Sequence, residues 1–115
     1  MSDTTPDQQD RMQMPPASFE FLTLSLRTQV EYQLGLMHFG PPEEKPEPDF
    51  DLARHGIDLM AVLQEKTRGN LSLEEERMLA NSLTELRFRF IQVMEDAKKA
   101  KAEKAEKVET PPSQS

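Results

Sequence analysis

The stretch EKTRGNLSLEEERMLANSLTELR, residues 65–87, sets a lysine, a glycine, an asparagine and three glutamates between two apolar runs. Such a knot of charge suits a phosphate or metal site, or else the turn between two helices. The order of the residues favours the turn. Lys66-Thr67-Arg68 closes a helical run with cations that complement the negative end of the helix dipole, and Gly69 follows as a stop. Ser72-Leu73-Glu74-Glu75 has capping-box spacing, in which Ser72 accepts from the Glu75 amide and the Glu75 carboxylate reaches back. Glu74, Glu75 and Glu76 also lie where the positive end of a new helix favours acid. Lys66 with Glu74 or Glu75 across the turn reads as a weak surface pair. The phosphate reading fails because TRGNLS lacks the glycine spacing and the lysine of a phosphate loop.

Downstream of the turn, Leu79, Leu83, Leu86, Phe90, Val93, Ala97 and Ala100 recur at alternating steps of four and three. That seven-residue repeat marks a coiled-coil-like seam against a partner helix. Upstream, DFDLARHGIDLMAVLQEKT (49–67) reads as the partner, capped by Asp49 or Asp51. Its stripe is Leu52, Leu59 and Leu63, flanked by Ala53, Ile57 and Met60. In an antiparallel hairpin, Leu63 is expected to meet Leu79, and Leu59 or Met60 to meet Leu83. Gly56 is then expected to face Leu86, with Phe90 near Leu52 and Ala53. A glycine inside a helix costs about 1 kcal/mol relative to alanine. Gly56 therefore signals either close approach by a neighbour or plain tolerance.

Before the hairpin, SFEFLTLSLRTQVEYQLGLMHFG (18–40) alternates locally like a strand at Leu22, Leu24 and Leu26. Over its whole length Phe19, Leu22, Leu26, Val30, Leu34 and Met37 recur at helical steps, with a second row of Phe21, Leu24, Tyr32 and Leu36. The stretch is read as a helix capped by Ser18 and stopped by Gly35 or Gly40. GPPEEKPEP (40–48) carries four prolines and is read as an extended, solvated linker. The expected protein is all-α: one N-terminal helix plus an antiparallel helical hairpin, with disordered termini. The helices are placed at about 18–38, 50–68 and 73–97, within a domain spanning 18–97. Residues 1–17 are expected to form a disordered tail, and 98–115 a charged helical extension fraying into a disordered tail. With 115 residues in all, the ordered part is near the size at which one core barely suffices, so a partner chain would help.

Several function classes recede on composition. The chain has no cysteine, hence no disulfide framework and no thiolate chemistry. It shows no basic leader and no run near ~18 apolar residues, so no membrane is expected and cytoplasmic residence is the default. A formal charge of −7, from 14 Lys+Arg against 21 Asp+Glu, argues against general nucleic-acid binding. Asp51, His55 and Asp58 stand at four- and three-residue steps and offer three metal donors, but no fourth is in sight. The plainer reading is a polar helix face with Arg54 and Asp58 paired. Because Asp58 lies between Ile57 and Leu59, Arg87 on the facing helix is expected to neutralise it. In RFRF (87–90) the two rings point about 200° apart on a helix, so they make no stacking platform. No catalytic motif appears, and no catalytic, cofactor-binding or metal residue is assigned; no cofactor or small-molecule substrate is expected.

The second and third elements, DLARHGIDLMAVLQEKTRGNLSLEEERMLANSLTELRFRF, with FLTLSLRTQ…LG before them, resemble the small bacterial family known as domain of unknown function 1844. The resemblance spans roughly residues 18–91. Its most specific parts are ID (57–58), Leu63, EKTRGNL (65–71), EEE (74–76) and LTELR (83–87). Gly56 and the longer linker depart from the pattern. The resemblance implies a compact α-helical bacterial protein and no activity. The function expected is a non-enzymatic interaction or assembly module, with a second copy or another protein as partner. The alternatives are a small metal-binding protein or enzyme using the Asp51/His55/Asp58 face, and weak RNA association through Arg87, Arg89 and the lysine-rich end.

Overall fold

A computed structural model describes residues 14–114, with side chains as far as residue 106. The expected tail at 1–17 lies outside the described residues up to position 13, and 14–18 carry no regular structure. Three helices follow: α1 (Phe19–Gln33), α2 (Phe50–Lys66) and α3 (Leu73–Gln114), with no strand among the described residues. Each begins at the cap its sequence announces. The Phe21 amide donates to Ser18 Oγ at 3.0 Å, and the Leu52 amide to Asp49 Oδ1 at 3.0 Å. At α3 the capping box closes in both directions: Glu75 N–H to Ser72 Oγ at 3.1 Å, and Ser72 N–H to Glu75 Oε1 at 2.8 Å.

The ends differ from expectation in two places. α1 stops at Gln33, short of 38, because Gly35 enters the left-handed region at φ +81. There the Leu36 amide returns to the Glu31 carbonyl and the Gly35 amide to Tyr32, the paired bonds of a Schellman motif. After residue 97 α3 continues as the helical extension expected there, and it runs as far as Gln114, further than the fraying reading allowed. Alanine, lysine and glutamate, which make up residues 98–107, are strong helix formers and support that part of the extension. Between α2 and α3, Gly69 at φ +85 takes the third position of a turn closed by Asn70 N–H to the Thr67 carbonyl. The linker is less extended than its prolines suggest, since Pro42–Glu44 forms one 3-10 turn.

All three helices pack on one another around Val30 of α1 and Leu34 at its C-cap, Ala53, Ile57 and Met60 of α2, and Leu79, Leu83, Leu86 and Phe90 of α3. The α3 row is the repeat read from the sequence. It thins beyond Phe90, where Val93 and Ala97 are partly covered and Ala100 is exposed. The α2 row is shifted. Ala53, Ile57 and Met60 go inward, while Leu52 and Leu59 remain half-exposed. Gly56 meets α1 instead of Leu86: a Cβ there would lie 2.6 Å from Val30 Cγ2. Phe90 packs edge-on to Phe50 with centroids 5.5 Å apart, beneath the Arg54 guanidinium at 5.2 Å. These contacts set the first turn of α2 beside the middle of α3, as a chain doubling back at residues 67–72 requires.

Two small polar residues, Thr23 and Ser82, are fully buried where helices approach, and the Thr23 hydroxyl has no hydrogen-bond partner. Two stability measurements test this packing. Gly56→Ala gains about 1 kcal/mol of helix propensity but forces a methyl into Val30, whose β-branched side chain is stiff at χ1. The net result is a loss of about 1–3 kcal/mol in denaturant unfolding. The same substitution made in a Val30→Ala background is neutral or stabilising. Thr23→Val, which swaps the unpartnered hydroxyl for a methyl of similar shape, leaves stability unchanged or raises it by about 1 kcal/mol.

Candidate functional site

Three helices packed pairwise leave furrows between them, and side chains that missed the core line those furrows. Along α1 and α2, Leu26, Leu52, His55 and Leu59 border a shallow groove of about 120 Å³, floored by Val30 and Gly56. The absent side chain at position 56 lets the helices close and gives the groove its floor. Leu52, His55, Leu59 and Val62 recur at steps of three and four on the outside of α2, and Leu22 lies one turn from Leu26 on α1. Leu22, Leu52, Leu59 and Val62 are 43%, 50%, 48% and 53% exposed, so the strip is an apolar surface with an unused half.

A wider groove of about 360 Å³ runs between α2 and α3. Buried Ile57 and Phe90 and the exposed Ile91 give it an apolar lining, and Arg54, Arg87 and Asp58 line it too. An apolar lining with two guanidinium groups and one carboxylate suits an apolar side chain flanked by acid. A third, open depression of about 440 Å³ lies beside the turn, among Gln64, Arg68, Leu71, Glu76 and Arg77. Three of the charges at the turn are employed locally: Arg68 pairs with Glu65 at 2.7 Å, and Glu75 caps α3.

The residues singled out for metal chemistry are not brought together. His55 turns to the α1–α2 groove and Asp58 to the α2–α3 groove, although one helix carries both. Positions 55 and 58 are about 60° apart around the axis, enough to put them on opposite sides of the α2 crest. Among the described residues no three His, Asp or Glu side chains are placed to hold a metal ion. Asp58 is exposed instead of apolar-packed, and no ion pair joins it to Arg87 or Arg54. Arg54 lies over the Phe90 ring. Of RFRF, Phe90 is 8% exposed and Phe88 64%, so the two rings do face apart. One polar bridge between helices went unread: Arg27 pairs with Glu31 on its own helix and with Glu85 on α3. No spacing rule links positions 27 and 85, so the sequence carried no signal for it. Among the described residues no helix is long and apolar enough to cross a membrane.

The family model described as Domain of unknown function (DUF1844) matches residues 16–92, which span α1, the linker, α2 and α3 past Phe90. The chain belongs to that family. Neither the curated proteins nor the solved structures contain a match to it. Asp58 and Arg87 supply a check on the groove's electrostatics. In a double-mutant cycle of Asp58→Ala and Arg87→Ala read by denaturant unfolding, the coupling stays below about 0.5 kcal/mol.

Proposed function

We propose that this member of the family is a non-enzymatic interaction and assembly module whose first partner is a second copy of the same chain. The observation that carries the reading is the strip along α1 and α2, where four large aliphatic side chains stay about half-exposed beside a groove. An apolar strip of this kind, at helical spacing, is suited to receive another helix. Covering one such side chain is worth about 1.5–3 kcal/mol when burial is complete, and about half that here. Four from each copy provide a substantial driving force for association, and a domain this small gains from added burial.

Light scattering coupled to gel filtration, from low to high micromolar, is the test. The chain is expected to shift from monomer toward dimer with concentration, and its Tm to rise with concentration as linkage demands. Leu59→Glu keeps the helical fold, because the side chain is half in solvent, yet weakens association at least tenfold. A wild-type chain that stays monomeric throughout, with a Tm independent of concentration, removes self-assembly.

A further inference from the structure

Phe39 is 92% exposed, the most solvent-accessible of the large apolar side chains among the described residues. It stands in the α1–α2 loop on a segment with local order. The His38 ring Nε2 lies 2.8 Å from the Pro41 carbonyl oxygen, and the 3-10 turn Pro42–Glu44 follows directly. Glu43 and Glu44 belong to that turn, four and five residues after the ring, and Glu47 follows shortly after. An aromatic ring thus projects from an acidic, proline-braced loop. The α2–α3 groove offers the matching surface, lined by buried Ile57 and Phe90, by exposed Ile91, by Arg54 and Arg87, and by one acid, Asp58.

We propose that the α2–α3 groove is the docking site for Phe39 of a second copy, with the acidic loop behind it meeting Arg54 and Arg87. The inference rests on the self-assembly reading above and names a contact of that assembly. Charge complementarity selects the occupant. Residues 43–47 carry three glutamates and one lysine, whereas the groove carries two arginines and one aspartate. In its own chain the ring is nearly bare, so its own groove does not hold it. Mutual exchange between two copies about a two-fold axis gives each groove one ring and closes the assembly. Proline and the 3-10 turn hold the loop in a narrow set of shapes before contact, which reduces the ordering that docking requires. Because the arginine contacts are ionic and partly solvated, added salt weakens them.

The experiment measures dimer dissociation constants for the full-length chain, for Phe39→Ala, for Arg87→Glu, and for an equimolar mixture of the two variants. Each variant alone is expected to dimerise at least tenfold more weakly, with the monomer's Tm at low concentration unchanged. The mixture associates more tightly than either variant by itself, since an intact Phe39 on one copy meets an intact groove on the other. Wild-type dimerisation that neither variant alters overturns the docking and leaves self-assembly standing. A mixture that recovers nothing overturns the exchange. A lowered monomer Tm in Phe39→Ala, with association unchanged, places the ring against its own chain and overturns it likewise. A wild-type chain monomeric throughout overturns both readings.

Discussion

Leu79, Leu83, Leu86 and Phe90 form the surface on which both other helices are laid. One stripe, about four residues long, must serve two partners, so α1 and α2 have to lie side by side along it. They can do so only if they approach each other closely. The missing side chain at position 56 permits this, with Val30 seated over the backbone there. Thr23 and Ser82 belong to the same economy of space, for both are small and wholly covered. The packing thus favours slim residues at the helix contacts and leaves several leucines outside.

That inversion explains what the sequence disclosed and what it withheld. Caps are local devices, a side-chain oxygen and an amide three residues away, so Ser18 and the Ser72–Glu75 pair were legible at once and Asp49 as one of two candidates with Asp51. The α3 stripe was legible because a repeat of seven has one reading on a helix. The inward face of α2 was not. Rows 52/59/63 and 53/57/60 are both apolar and both helical, and counting large side chains favours the row that packing rejects. Which row turns inward depends on α1, whose position no spacing within α2 encodes. The division of His55 and Asp58 between two furrows has the same origin, since the crest of α2 exists only once both neighbours are in place.

The two surfaces left along α2 differ in character. Between α1 and α2 the exposed face is a band of aliphatic side chains with a histidine in its path; between α2 and α3 it is a trough with cations in its lining. The matched family segment spans both.

The Asp49 amide donates to the Gln33 carbonyl at 2.8 Å, so the last residue of α1 and the cap of α2 are joined directly. Leu34 stays in the core and Leu36 packs against it, whereas residues 37–48 carry no core side chain and rejoin the bundle close to where α1 ends, as an Ω-loop does. Lengthening such a loop costs little, about 0.6 kcal/mol for each doubling. Insertions or deletions between Leu36 and Pro48 can accumulate, or be engineered, without moving a single core side chain.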